Sequence, residues 1–223
     1  MANDNASASI DPARITDLVG QALTTTCGKD ELPGCDQSKT TNFGAELARL
    51  WAREGFKGDL STEINESSLD AAQWVKGDDS PAQRAEALRA PTKFQREVRI
   101  TGTEDGRHVL VAKLELAAIR STEEVGGGKG DDYLWSFGWL LGERDSCKRL
   151  FVGSGEKEHL EKLMKTLERR YQEHEESAPR CVTAVVLLPT GETEKEEVRL
   201  GVFEEGKRPQ FWQPWRQAAT PGA

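Results

Sequence analysis

The sequence predicts an α+β fold in which an N-terminal helical region precedes an antiparallel β-sheet. Apolar residues recur at helical spacing up to about residue 91, and from Phe94 onward the spacing changes to the two-residue period of strands. One long amphipathic helix then interrupts the strands. We therefore expect a four-strand meander, a long helix and a C-terminal hairpin after the helical region.

Two amphipathic helices are predicted at the start of the chain. The first begins at Asp11-Pro12, because aspartate caps helix N-termini and proline suits a first turn. The second ends at Gly55, since glycine readily adopts the left-handed conformation that follows a helix. The apolar faces contain Ile15, Leu18, Val19, Ala22 and Leu23 in the first helix and Phe43, Leu47, Leu50 and Trp51 in the second.

Residues 58–65 are too polar to be assigned to either class of secondary structure. Two further helices are predicted, one opening at Ser67 or Ser68 and one at Ser80-Pro81. Gln83 lies three residues after Ser80, as in a capping box. The helical region is therefore expected to extend to residue 91.

Four strands are predicted to form the meander. The Asp105-Gly106 pair is typical of a tight hairpin turn, so the first two strands should be antiparallel neighbours. The third strand is predicted from alternating aromatic residues that begin at Tyr133. The four predicted strands are residues 94–100, 109–119, 133–141 and 149–152.

A long helix is predicted for residues 156–176, followed by two strands. Its apolar stripe consists of Leu160, Leu163, Met164, Leu167 and Tyr171. The nearly continuous apolar run at 181–188 is typical of a central strand, and a turn leads from it to 198–203. The chain then divides into a disordered tail (1–10), a helical region (11–91), a sheet with one long helix (92–204) and an aromatic tail (205–223).

Composition and charge exclude several classes of protein. The chain has 223 residues with 30 basic and 38 acidic side chains, a net charge of −8. This charge argues against direct nucleic-acid binding, which depends on lysine and arginine at phosphates. No apolar run approaches the roughly 20 residues of a membrane span, and the polar start does not resemble a secretory signal. We expect a cytoplasmic protein that does not interact with membranes.

The cysteines do not have the spacing of a metal site. Cys27 and Cys35 are separated by seven residues, whereas zinc-binding pairs are separated by two to four. We expect reduced thiols, no bound metal and no cofactor.

Two glycine-rich segments partly resemble phosphate-binding loops. Residues 126–130 contain Gly-Lys-Gly, but Asp131 and Asp132 follow, where a phosphate loop has serine or threonine. Residues 153–155 lead from a strand into a helix, but Glu156 opens that helix and would oppose an anion. We expect neither segment to bind nucleotides. The histidines, which also lack partners at metal-ligand spacing, are His108, His159 and His174.

A metal-dependent nuclease is the enzymatic alternative. A helix, an antiparallel meander, a helix and a further strand loosely resemble the restriction-endonuclease-like core, and the plausible carboxylates are Glu97, Asp105 and Glu115. That family places Glu-x-Lys on one strand, whereas Lys113 here precedes Glu115. The resemblance is therefore incomplete at the residues that would bind the metal.

The leading hypothesis is a non-enzymatic protein that works through protein contacts, such as an adaptor, a chaperone-like protein or an accessory subunit. It follows from the absence of a catalytic pattern, from an acidic helical region beside the α+β core, from an aromatic-rich strand and from three large aromatic residues in the C-terminal tail. Phe211, Trp212 and Trp215 are the candidate residues for binding a partner or a second copy. The alternatives are that the tail folds onto its own sheet, or that distant residues form an enzyme or sensor pocket.

Overall fold

The computed structural model describes residues 11–28, 31–69, 93–119, 133–141, 147–174, 182–190, 197–204 and 207–214. These residues form an α+β structure with one mixed sheet of seven strands. The strands are β1 (Leu60–Leu69), β2 (Lys93–Glu104), β3 (Arg107–Ile119), β4 (Lys148–Gly155), β5 (Thr183–Pro189), β6 (Arg199–Phe203) and β7 (Gln210–Trp212). The described helices are α1 (Pro12–Thr26), α2 (Gln37–Arg53), α3 (Tyr133–Leu141) and α4 (Lys157–His174).

The strands lie in the sheet in the order of the sequence, with β1 and β7 at the edges. β1, β2 and β3 are mutually antiparallel, as are β5, β6 and β7, whereas β4 is parallel to both β3 and β5. Parallel neighbours require a crossover connection, which α3 and α4 provide. The β2–β3 hairpin and the β5–β6 hairpin confirm two predicted pairings.

The helices cover the two faces of the sheet and create two hydrophobic cores. α1 and α2 pack on one face, and α3 and α4 pack on the other. Because strand residues alternate between faces, neighbouring positions on β4 contribute to different cores: Leu150 to the first and Phe151 to the second. α1 and α2 thus share a core with the sheet. The predicted boundary near residue 91 stays a prediction.

Local capping explains the two N-terminal helices, which confirm the sequence prediction. The Asp11 side chain accepts a hydrogen bond from the Ala13 amide, and Asp36 caps α2 in the same way. Gly55 has a φ of 87° just after α2 ends, in the left-handed region. The predicted hairpin turn is also present, with φ values of 50° at Asp105 and 75° at Gly106.

The predicted third strand is wrong, because residues 133–141 form α3. The segment is apolar on nearly every side, so its aromatic alternation did not exclude a helix. Its buried side chains include Tyr133, Phe137, Leu140 and Leu141, which recur at helical spacing. A crossover between β3 and β4 also replaces the predicted antiparallel meander beyond β3.

The region that the sequence left unassigned is strand β1. It includes Ser67 and Ser68, so the helix predicted to open there is also wrong. β1 is mostly polar, and the first core includes its half-buried Leu60. Its conformation depends on ten register pairs with β2, which no local pattern indicates. The predicted helix at Ser80 and the predicted tail at 1–10 lie outside the described residues.

The predicted long helix and central strand are confirmed. All seven residues of β5 are buried, as expected for a strand covered on both faces. The apolar stripe of α4 packs into the second core through buried Leu160, Leu163, Leu167 and Tyr171 and partly buried Met164.

Candidate interaction edge and buried charged cluster

Two of the three predicted partner-binding residues lie in β7. Phe211 packs edge-to-face on Phe203, with 5.4 Å between ring centroids, and Trp212 donates from Nε1 to Thr16 Oγ1 at 3.3 Å. Phe211 therefore reaches the second core and Trp212 the first, and both side chains are half-buried. Trp215 lies outside the described residues. Partner binding by these aromatics stays a prediction.

A buried arginine also anchors the tail. Arg199 on β6 donates from Nη1 to the Glu197 carbonyl at 2.8 Å and lies 3.3 Å from Glu161 Oε1 on α4. With its amide oxygen turned toward the guanidinium, Gln213 accepts from Arg199 Nε at 3.1 Å. These contacts join α4, β6 and the residue that follows β7.

The two edges of the sheet differ in length and protection. β7 has three residues and lies between Pro209 and Pro214, which lack an amide hydrogen. β1 has ten residues and contains no proline, lysine or glycine. Short strands, prolines and lysines are the usual means by which proteins protect a sheet edge from further pairing. β7 is therefore protected, whereas acidic residues are the protecting feature that the sequence of β1 itself carries.

One apolar residue of β1, Ile64, is unusually exposed. Ile64 is 42% exposed and is the large hydrophobic residue that the described part of the chain leaves exposed. Its register partner Val98 on β2 is fully buried in the first core. No described segment pairs with the outer side of β1. An apolar position thus lies near the middle of a strand that forms the edge of the described sheet.

A buried charged cluster lies on the other face of the sheet, at β2 and β3. Glu97 and Glu115 are register partners, and Lys113 lies two residues before Glu115. The Lys113 Nζ is 3.0 Å from Glu97 Oε2 and 3.7 Å from Glu115 Oε1. Lys113 is 3% exposed and Glu115 is 0% exposed. The lysine therefore bridges two carboxylates in a desolvated position.

Further polar side chains continue this cluster across the sheet. Arg99 Nε lies 3.8 Å from Glu97 Oε1, and the buried Arg149 is the register partner of Lys113 on β4. Asp105 does not join them, because it lies in the turn at the far end of β2. The structure thus brings together two of the three predicted nuclease carboxylates and separates the third.

The cluster does not fit a divalent metal ion. The Lys113 ammonium is already located between Glu97 and Glu115, where it neutralises charge that a cation would otherwise balance. Within the described ranges, no group of three or more His, Cys, Asp or Glu side chains could hold a metal. The arrangement is therefore that of an internal ion-pair network.

The other predicted sites have structural roles or lie outside the described residues. A Cβ added at Gly153 or Gly155 would lie 2.5 Å or 2.4 Å from atoms of Ile119, so these glycines permit close approach of β3 and β4. His108 is exposed and His159 half-buried. The loop 126–130 is not described. Cys27, Cys35 and Cys147 are free thiols.

Lys148 has a lowered pKa, and no pattern in the sequence indicated this. Its Nζ donates to the Trp51 carbonyl at 2.6 Å and to the Glu54 carbonyl, which places a cation at the C-terminus of α2. Burial lowers the pKa of Lys148 to about 8, against an opposing effect of the Glu54 carboxylate. The hydrogen bond from Arg14 lowers the pKa of Glu54. These contacts depend on the packing of α1 and α2 beside β4, which no sequence motif indicates.

In comparisons with known proteins, no family model, curated protein or solved structure matches this chain. None of the described helices is both long enough and apolar enough to span a membrane.

Proposed function

We propose that this protein is a non-enzymatic interaction protein, an adaptor or accessory subunit, that binds an extended segment along β1. The observation that supports the proposal most directly is the long outer edge of β1. Strand addition supplies backbone hydrogen bonds along such an edge, and side-chain contacts at alternate positions add specificity. Ile64 offers one apolar contact of this kind near the centre of the edge.

The rest of the structure supports the choice of this edge. The Phe211 and Trp212 side chains already pack against the chain's own cores, so little of either ring remains for a partner. The charged cluster is buried, and a macromolecule cannot contact Glu115 at 0% exposure. The β1 edge combines length, an apolar position and the absence of prolines and lysines.

Isolation of partners from the native host tests the proposal. Tagged wild-type protein is compared with I64K, which adds charge to the edge, and with T103K, the matched control. Thr103 is also exposed, but it lies on β2, where it pairs with His108 of β3, and not on the outer edge of β1. We expect a stoichiometric partner with the wild type and T103K that I64K loses. Equal recovery with all three proteins would exclude β1 as the binding edge.

The second candidate is the metal-dependent nuclease. The pairing of Glu97 with Glu115 on adjacent strands favours it, whereas their burial and the bridging Lys113 argue against it. Incubation of micromolar protein with plasmid and Mg²⁺ or Mn²⁺ tests it. Cleavage that E115Q abolishes and D105N retains would establish the activity, and intact plasmid would exclude it.

We also propose a cytoplasmic location. It is supported by the three free thiols in the described residues, which suit a reducing compartment. Fractionation of the native host with an antibody to the protein tests this location.

A further inference from the structure

We propose that the segment added to β1 is β1 of a second copy of this chain, with Ile64 opposite Ile64 at a two-fold axis. This inference rests on the proposed function, because it names the partner of the same edge. The two mixed seven-stranded sheets would join into one continuous sheet, with the two β1 strands antiparallel to each other at the junction. Symmetry, charge and the position of Ile64 favour this pairing.

Symmetry limits the possible registers. In a two-fold dimer the same surface patch of both copies meets, so β1 of one copy must pair with β1 of the other. Antiparallel pairing about an axis perpendicular to the sheet keeps side chains on their original face, and the residue at the axis lies opposite its own copy. Each register is therefore defined by one central residue of β1.

Charge and length favour Ile64 as that residue. This register pairs residues 60–68 and places Glu63 opposite Asn65, and position 66 opposite Thr62. A register centred on Glu63 would oppose two like charges, which destabilises a cross-strand pair. A register centred on Asn65 would place Ile64 opposite an acidic position. Among these registers, only the one centred on Ile64 avoids both conflicts.

Burial gives the Ile64 register its physical advantage. Ile64 lies on the face of the first core, beside the fully buried Val98, and is itself 42% exposed. A second Ile64 directly opposite would continue that core across the axis and remove both side chains from water. The net charge of −8 on each copy opposes association. Added salt should therefore strengthen the dimer.

Disulfide trapping of single-cysteine variants tests the register. In I64C the two Cα atoms would lie about 4.5–5.5 Å apart, whichever type of antiparallel pair they form, and disulfides span roughly 4.4–6.8 Å. In the control T62C the two cysteines would be separated by four residues along the strand, about 13 Å. All variants carry C35S, because Cys35 is exposed.

We expect mild oxidation to link most of I64C as a dimer and at least tenfold less of T62C and of the C35S parent. Sedimentation equilibrium should show a wild-type dimer, with a Kd at least tenfold higher in I64K and unchanged in T103K. Circular dichroism melts check that these variants remain folded. Equal linking of I64C and T62C would overturn the register, and a wild-type monomer at about 100 µM would overturn the dimer.

The outcomes separate this inference from the proposed function. If the protein is a monomer but I64K alone loses a host partner, the second copy is wrong and strand addition at β1 stands. If I64K changes neither self-association nor partner recovery, both proposals fail. If a dimer forms that I64K does not weaken, the edge is wrong for self-association.

Discussion

Gly201 and Phe211 should be energetically coupled across β6 and β7. A Cβ added at Gly201 would lie 2.6 Å from Phe211 Cε1 and 2.7 Å from its Cδ1. Carbon atoms in contact are normally about 3.5–4.0 Å apart, so the added methyl overlaps the ring by about 1 Å. G201A therefore forces Phe211 to move and disturbs its contact with Phe203.

The expected effect of G201A changes sign with the residue at position 211. Overpacking of this kind lowers the free energy of unfolding by about 1–3 kcal/mol. In F211A the ring is absent, and replacing a strand glycine by alanine then stabilises by about 0.5–1 kcal/mol. The coupling free energy between the two positions is therefore about 1.5–4 kcal/mol, which overlaps the upper part of the roughly 0.5–3 kcal/mol found for side chains in direct contact.

Urea unfolding of the wild type, both single variants and G201A/F211A measures this coupling. For a chain of this size the lower limit corresponds to a difference in Tm of roughly 3–6 °C. The double variant should be more stable than the sum of the single effects indicates. Additive effects within about 0.5 kcal/mol would mean that Phe211 does not pack on β6, and the aromatic tail would then be available to a partner.

Three further predictions concern the helices and the buried charges. L163A and L167A each shorten a fully buried side chain of α4, and each should lower the free energy of unfolding by about 2–5 kcal/mol in urea denaturation; losses below about 0.5 kcal/mol for both would contradict the packing of α4. The pKa of Lys148 is lowered from 10.5 to about 8, so the unfolded chain binds this proton more tightly. Wild-type stability should rise relative to K148M between about pH 8 and 10.5, and a constant difference across melts in this range would show that the pKa is not lowered. K113M leaves the two glutamates of the cluster without their shared cation and should lower the free energy of unfolding by about 3–5 kcal/mol; wild-type stability in urea denaturation would mean that the bridge does not form.

Elements with a strong local signal were predictable from the sequence. Helix α1 has an aspartate cap and a proline in its first turn, and α4 has an apolar stripe of regular period. The β2–β3 hairpin is marked by Asp105-Gly106, whose backbone conformation few other residue pairs adopt. Each of these signals acts between residues close in sequence.

Candidate functional residues were less predictable than the elements that carry them. Glu97 and Glu115 could be named as carboxylates on neighbouring strands, and the hairpin register does place them opposite each other. Their burial, the bridging Lys113 and the separation of Asp105 depend on how helices pack over the strands. Ile64 had no functional signal, because its exposure is meaningful only once β1 lies at an edge.

The sequence by itself therefore determined the fold class, the cores of three helices and the strands with clear alternation. Only the tertiary structure decided that residues 133–141 are helical, because an apolar segment satisfies both periods until the parallel pairing of β3 and β4 requires a crossover. It likewise decided that the polar β1 is a strand, because backbone hydrogen bonds to β2 replace the missing apolar alternation. Edges, faces and burial are properties of segments distant in sequence, and no local pattern of residues contains them.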